Sequence, residues 1–585
     1  MEEADLVIIG AGIFGMSSAT TYHRLHPTAK ILLIDSSPSI GGPWAPHRIF
    51  PGLRTNNLLG MYEHPDFPMD EARFGVKKGE HVPAEKMLEY LEALVEWSGI
   101  GGFLRLGTRA EIIEKETEGW KLQCRRRTAT AEDAFEIRTK QLIITVGNTN
   151  KPFLPQYSKE DGFKPLVIHS KDFPAQFERI VKPATHTLVV GSGKSAWDIA
   201  YACATQPDST VTMLIRPSGN GPIWMPPPHV TPFGLWLEKL VFTRFFGFMS
   251  PCPWAETSGI EGWLRSFLQG TWLGRKIVSA FWQILGDDVH SLNKLNEHSE
   301  TKKLRPWTDA FEVGNTLSIH NYPTSFFDLV RNGRIKVVID EVQSFSEGSK
   351  VLLQSGATFD VDAVVSATGW RIGNTFKLQL TELDKELGMP STHIDSADAA
   401  LIKKTEQDLL AQFPTLDRNT SRVHHPDPSL RTTREVKEDL QPYRLHRFIA
   451  PPALLQDRSV AFAGALHTLG TFPCAYIQSL WITAYLDGTL ALPSASAEQI
   501  RAETYRNTQY CVLRHTFGYG RVSPDLVWDS LPYFDMLLKD LGFMGKRKGG
   551  WFGVRECVKS YGPEDYRGLL EEWERRQDGA GKKDV

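Results

Sequence analysis

The sequence predicts an α/β protein built on two Rossmann-like dinucleotide-binding units, with an aromatic-rich insertion and a C-terminal appendage. Three observations carry this prediction. An apolar run, a glycine-rich turn and a helix-patterned stretch occur together at Gly10-Ala11-Gly12-Ile13-Phe14-Gly15. The same order returns at Gly191-Ser192-Gly193-Lys194-Ser195-Ala196. In both cases the next apolar run ends in a charged residue, Asp35 in the first unit and Arg216 in the second.

In the first unit, Leu6-Val7-Ile8-Ile9 reads as the strand, and Met16, Ala19 and Leu25 as the apolar face of the helix. Gly10 permits the tight turn and Gly12 lets the backbone approach a pyrophosphate. Gly15 lets helix and strand pack closely, with the phosphates at the helix N-terminus. The strand Ile31-Leu32-Leu33-Ile34 then ends at Asp35, 20 positions beyond Gly15, where a ribose diol needs an acceptor. Capping a helix is the alternative role for Asp35.

The second unit runs Leu188-Val189-Val190 into Gly191, Gly193 and Ala196. Lys194-Ser195 suggests a Walker phosphate loop, but Leu188 stands where that pattern needs its first glycine. The next strand, Val211-Thr212-Met213-Leu214-Ile215, ends at Arg216. An acid there would accept from the 2′-hydroxyl of NADH, whereas an arginine donates to a 2′-phosphate and biases the site toward NADPH. Lys194 is a second candidate for that phosphate, and a plain surface arginine is the alternative reading of Arg216. Two dinucleotide sites on one chain imply electron passage from a nicotinamide to a flavin.

Composition narrows the class. The chain has 585 residues, 41% apolar and 23% charged, with a formal net charge of −3, so no basic domain points to nucleic acid. The Leu6–Ile9 strand begins too early to leave room for a signal peptide. Six cysteines, none in a CxxC pair, fit a reducing, cytoplasmic setting, and the sequon Asn419-Thr420-Ser421 is read as unused. The same spacing excludes a redox disulfide beside the flavin. His424, His425 and His446 show no metal-ligand spacing, so no metal is expected. No apolar run reaches 18 residues. The aromatic stretch 233–250 is read as core or pocket wall, with peripheral membrane contact as the alternative.

Between the two turns, Ala84–Trp97 reads as a helix, and Trp120–Cys124 and Gln141–Val146 read as strands. Gly219–Leu304 is proline-rich and aromatic, with Trp224, Trp236, Trp254, Trp263, Trp272 and Trp282. Interior packing accounts for most of this, and a large apolar substrate pocket is the alternative. Strands resume at Ile335–Ile339, Asp362–Ser366 and Ser459–Ala463, the last leading to a helix through Asp487. Ser391–Pro452 is polar and turn-rich and reads as loop and insertion, and the last ninety or so residues carry no interpretable pattern.

Five ordered segments across roughly residues 5–490 resemble the flavin-containing monooxygenases and their Baeyer–Villiger relatives. These are the Gly10–Gly15 turn with Gly41-Gly42-Pro43-Trp44; Leu53-Arg54-Thr55-Asn56 with Tyr62 and Asp66-Phe67-Pro68; Phe163 to Phe173; Ser366-Ala367-Thr368-Gly369-Trp370; and Phe462-Ala463-Gly464-Ala465-Leu466-His467. Pro165 stands where the family fingerprint has glycine, and Phe173 where the Baeyer–Villiger variant carries tryptophan. The pattern resembles the fungal biosynthetic branch, which makes diverse natural products.

The resemblance implies an FAD domain at 1–165 and 370–500, an inserted NADPH domain at 166–369 that includes the aromatic stretch 219–304, and a C-terminal extension at 501–585. It implies a monooxygenase in which NADPH reduces FAD and oxygen adds to give a flavin C4a-hydroperoxide. A small organic substrate then takes one oxygen atom. Asn56 matches the asparagine that orients the reactive flavin. Gly10, Gly12, Gly15, Asp35, Gly42, Trp44, Thr55, Thr368, Gly369 and His467 fall to FAD contacts, and His169, Gly191, Gly193, Lys194, Ser195 and Arg216 to the nicotinamide cofactor. For His169 a structural role in the interdomain linker is an equal alternative, and for Asn56 a turn role. A Baeyer–Villiger enzyme and a non-oxygenating NADPH oxidase or cofactor-binding scaffold are the other functional readings.

Overall fold

The structure is a computed structural model. It describes residues 2–127, 132–230, 234–314, 316–371, 376–378, 381–392, 394–417, 440–490, 495–515, 519–548 and 554–581. The Asn419 sequon, His424, His425, Phe233 and the terminal Lys582-Lys583-Asp584 lie outside the described residues.

The first sheet is centred on Glu2–Ile9, which pairs in parallel with Ile31–Ile34 on one side and Glu132–Ile144 on the other. Beyond Glu132–Ile144 lies an antiparallel meander of Trp120–Arg127 and Thr108–Lys115. The late strand Val460–Phe462 closes onto Leu142–Ile144 in parallel. A sheet that takes strands from residues 2 and 460 explains why apolar runs return so far downstream. Leu6, Val7 and Ile8 show no exposure, as strands covered on both faces require.

The second sheet is wholly parallel, in the order Leu166–His169, Ala363–Ser366, His186–Val190, Thr210–Ile215, Ile335–Ile339. A four-stranded sheet of Ser158–Lys159, Val342–Phe345, Lys350–Leu353 and Thr358–Asp360 covers part of it. The short strand Ser158–Lys159 therefore joins the second unit ahead of residue 166, where the sequence-based boundary falls. Pro165 stands directly before Leu166–His169, at a strand start where a missing amide proton breaks no ladder bond. Two segments join the units, with Lys151–Pro152 pairing antiparallel to Trp370–Arg371.

Three expectations are corrected. The segment from Ser391 to Pro452 contains a helix, Ser396–Gln412, whose N-terminus is capped by the Asp395 side chain accepting from Asp398 N. Its surface is polar enough to hide the periodicity. The C-terminal residues are no appendage. Helix Ala497–Arg514, capped reciprocally by Ser496 and Gln499, and helix Ser530–Asp540 contribute Tyr510, Leu531, Phe534 and Leu537 to the largest core. That core also holds Trp224, Leu237, Phe242, Phe246 and Trp282 of the aromatic stretch, together with helix Thr471–Leu486 of the first unit. Only the ends of the stretch, Ile223, Met225, Leu295 and Leu304, pack with the second sheet. The stretch thus belongs mainly with the first unit and the C-terminus, because its large rings are buried there.

Short helices Leu237–Val241 and Arg244–Phe248 put Leu237, Phe246 and Phe248 inside, so these side chains are core, while Leu235 and Phe245 stay exposed. Among the described residues, no helix is long and apolar enough to cross a membrane.

Candidate active site

The first glycine turn has the geometry of a phosphate cradle. Gly10 adopts φ +112°, and a Cβ there would lie 2.6 Å from the Thr145 carbonyl oxygen. A Cβ on Gly15 would lie 1.8 Å from Gly10 O, so helix Ile13–Leu25 can approach its strand only because Gly15 has no side chain. A Cβ on Gly12 would meet Gly42 Cα at 3.9 Å, and one on Gly42 would meet Gly12 Cα at 3.4 Å. These two bare backbones face each other across a gap that ordinary side chains would fill. Gly12 caps the helix without any side-chain hydrogen bond, which leaves the first-turn amides free for an anion. Asp35 sits at the end of the adjoining strand. Its Oδ2 accepts from Ala11 N and its Oδ1 from Ser37 N, both at 2.7 Å. Asp35 therefore tenses the turn itself, and it caps no helix.

The second turn repeats this geometry. Gly191 has φ +136°, and a Cβ would lie 2.3 Å from Ala367 O. Gly193 caps helix Lys194–Ala204 without a side-chain bond, and nothing stands within 4 Å of where its Cβ would be. Ser195 is exposed in the first turn of that helix. Arg216 follows Ile215, on the strand that flanks the turn.

Between the units lies a cleft of about 420 Å³, walled by Trp44, Arg54, Asn56 and Asn57 from the first unit and by Lys194 and Asp198 from the second. Leu317, Ser318 and Ile319 form one end, and His467, Thr468 and Leu469 another. Four of the residues singled out from sequence thus meet here: Trp44, Asn56, Lys194 and His467. Asn56 lies on the strand Arg54–Leu58 and not in a turn, and its amide oxygen accepts from Ser318 Oγ at 2.8 Å. Trp44 Nε1 donates to Tyr62 Oη at 3.1 Å, and burial lifts the Tyr62 phenol to about 12, so it stays neutral. Burial also lowers the His467 pKa.

Several residues expected at the cofactors are engaged within the protein. Thr55 is 1% exposed, and its hydroxyl donates to Asn57 O and accepts from Val82 N. It closes the strand pair and does not reach the cleft. His169 accepts from Lys171 N at Nδ1 and donates from Nε2 to Gly369 O at 2.9 Å, which spends both ring nitrogens on the linker. Thr368 donates to Phe153 O, and Gly369 O also accepts from Phe153 N, so this pair fastens the same linker. Lys194 points into the cleft. Its ammonium pairs with Asp198, bonds Asn321 Oδ1 at 3.0 Å and lies 4.8 Å from the Tyr322 ring centroid. A cation already paired with a carboxylate there is not placed for a 2′-phosphate, which leaves Arg216 as the phosphate candidate.

Sequence reading missed several residues that line the cleft or bond to its wall. Asn321 Nδ2 donates to the carbonyls of Arg54 and Thr55, tying the two units together across the cleft. Tyr322 Oη donates to Asp198 at 3.0 Å, and Ser318 holds Asn56. These come from an irregular segment with no motif, so no local signal could have found them. Asp198 was findable, four residues after Lys194 on one helix face. Among the described residues no group of three His, Cys, Asp or Glu could hold a metal.

Residues 8–64 match the NAD(P)-binding Rossmann-like domain family, and residues 88–223 match the L-lysine 6-monooxygenase/L-ornithine 5-monooxygenase family. The chain is 31% identical to the FAD-dependent monooxygenase rstn6 of Aspergillus nomiae, over 97% of this chain and 98% of that protein. It is 30% identical, with the same coverage, to the FAD-dependent monooxygenase resA of Aspergillus sclerotiorum. In fold it is similar to the open crystal structure of cyclohexanone monooxygenase, at 15% identity, TM-score 0.56, and coverage of 93% of this chain and 99% of that one. It is also similar to the NADP⁺-bound cyclohexanone monooxygenase of Rhodococcus sp. Phi1, at 15% identity, TM-score 0.55 and 98% coverage of both chains.

Proposed function

Since this chain belongs to the FAD-dependent monooxygenases, as its full-length similarity to the two Aspergillus enzymes shows, we propose that its interdomain cleft is where oxygen is transferred to a small organic substrate. The protein is an NADPH-consuming oxidoreductase of that family. The bare Gly12–Gly42 gap, the uncapped helix start and the Asp35 carboxylate fit an FAD pyrophosphate and ribose. FAD supplies the electron relay between NADPH and molecular oxygen. Residues of this chain do the rest. Asn56, fixed by Ser318, presents an uncharged amide that donates and accepts at the cleft wall. Gly191, Gly193 and Ser195 line the second phosphate site, and Arg216 reads the 2′-phosphate of NADPH. The side chains of Trp44, Leu317, Ile319 and Leu469 add apolar surface to the wall, which limits water at the transfer and its collapse to hydrogen peroxide.

The observation that carries this reading is that one cleft joins Asn56 and Trp44 of the first turn's unit with Lys194 of the second. Phe173, buried against Phe50 and Phe177, stands where the Baeyer–Villiger variant carries tryptophan, and that motif difference favours heteroatom or carbon oxygenation over ketone-to-ester chemistry. The substrate class is proposed as an apolar fungal metabolite, in keeping with the relatives. The test gives holoenzyme NADPH and ¹⁸O₂ with thioanisole or cyclohexanone as probes. One labelled oxygen in the sulfoxide supports the reading, and a labelled lactone moves it to Baeyer–Villiger chemistry. Peroxide equal to NADPH consumed, with no labelled organic product, refutes oxygenation of either probe class.

A further inference from the structure

Helix Leu237–Val241 belongs to the aromatic stretch, far from the Arg54–Leu58 strand in sequence, yet it sends one carboxyl group into the wall of the cleft. Glu238 is 1% exposed. Its Oε1 accepts from Asn57 Nδ2 at 2.5 Å and its Oε2 from Leu58 N at 2.9 Å. The same Asn57 amide donates to Leu469 O at 3.0 Å. Asn57 and Leu469 both line the cleft, and Asn56 stands beside Asn57 on the strand. A single side chain therefore grips the strand that carries Asn56 and, through Asn57, the 467–471 segment opposite.

A neutral side chain could make an ordinary tie between two packed segments. A buried carboxylate is a costly choice, and here no cation repays it. Lys239 is the neighbouring positive charge, but its ammonium lies 4.1 Å from the Trp236 ring centroid. What the carboxylate adds is two acceptors and no donor, which suits two N–H groups pointing at it. A protonated acid must turn one oxygen into a donor facing an N–H, and one of the two bonds is lost.

We propose that Glu238 is a positioning residue for oxygen transfer, holding the Asn56–Leu58 strand and Leu469 together through these bonds only as the carboxylate. This rests on the reading of the cleft as the oxygen-transfer site. Burial raises the Glu238 carboxyl to about 7, opposed by the bonds from Leu58 and Asn57 and by Lys239, so the grip forms as pH rises through neutrality. The groups facing it from neighbouring elements are silent or separable. Burial holds His81, bonded to Thr55 O, down to about 4, and Tyr62 is raised to about 12. Burial lowers His467, Lys239 and Lys194, the last paired with Asp198, while Lys78 acts on Lys239. Replacing Glu238 alone removes its own step and leaves theirs.

The experiment uses FAD-loaded full-length protein between pH 6 and 9, without substrate. It reads the rate of peroxide release and the visible circular dichroism of the bound flavin. Wild type is expected to release less peroxide above a midpoint near 7, with the dichroism changing at the same midpoint. Glu238→Gln should show neither transition and should release on the order of tenfold more peroxide at pH 8, the equivalent of one lost hydrogen bond to a charged group. Asn57→Ser, which keeps the acid and removes a bond to its ionised form, should move the midpoint upward. A Glu238→Gln protein with wild-type pH profiles overturns the proposal, as does an Asn57→Ser midpoint that stays in place. Asn56→Ala separates the two readings. If it leaves dichroism and peroxide unchanged, the cleft assignment fails; if it alters them while Glu238→Gln does not, only the Glu238 role fails.

Discussion

Replacing Asp35 with alanine separates what a carboxylate does for the turn from what it does for a nucleotide. Its two bonds, to Ala11 N and Ser37 N, are both 2.7 Å long. Ala11 is fully buried, so its orphaned amide finds no water, whereas Ser37 is partly exposed and rehydrates. The apoprotein should lose about 1–3 kcal/mol, nearly all from Ala11, since a buried donor left unmade costs that much. The ribose contact is a second, charge-assisted bond worth about 1.5–3 kcal/mol, which is roughly 10- to 100-fold in FAD affinity. Denaturant unfolding of the apoprotein reads the first quantity, and flavin fluorescence titration reads the second. Asp35→Asn is the control, because its amide oxygen can still accept from Ala11 N but cannot accept from both partners and the ribose. Stability should recover while FAD affinity stays low. An Asp35→Ala protein that keeps its full complement of flavin through gel filtration would refute the ribose role. Full recovery of FAD affinity in Asp35→Asn would reduce Asp35 to a brace for the turn.

Three further outcomes are expected. Arg216→Ala should raise the KM for NADPH by about 10- to 100-fold and leave NADH unchanged, as loss of one charge-assisted bond predicts; an unaltered NADPH/NADH preference removes Arg216 from the phosphate site. Asn56→Asp puts a charge where Ser318 now donates to an amide, so it should retain FAD and NADPH oxidation but divert electrons to peroxide, read as product formed per NADPH. Glu238→Gln should also change how stability varies with pH. The wild-type carboxyl is raised from its ordinary 4.5 to about 7, so its favourable contribution is complete below 4.5 and lost as pH climbs through 7. The glutamine protein should therefore gain on wild type across that window, by up to about 3 kcal/mol from a shift of that size, then hold a constant lead above it. Parallel unfolding curves from pH 4 to 8 would contradict this.

The local chemistry of both nucleotide turns was legible because it is written in consecutive residues. Gly10, Gly15 and Gly191 are fixed by φ or by a backbone atom within 2.6 Å, and a motif of adjacent positions records such limits directly. Asp35 and Arg216 were legible for the same reason, as strand ends one element further on. Thr55 and Thr368 spend their hydroxyls on the backbone, and His169 fills the linker role read as its alternative, because a motif fixes a residue's identity but not which neighbour its side chain meets. The threonine hydroxyl and the histidine nitrogens were already taken by Val82, Lys171 and Gly369.

The sequence by itself determined the two glycine-turn units, their strands and the dinucleotide chemistry, because these depend on backbone geometry within a few tens of residues. Only the tertiary structure decided what encloses the cleft. Ser318, Asn321 and Glu238 reach Asn56, Thr55 and Asn57 across 180 or more positions of chain, and the aromatic stretch and C-terminal helices share one core. Such contacts follow from where buried side chains find room when distant segments fold together, and no periodicity or spacing along the chain encodes them.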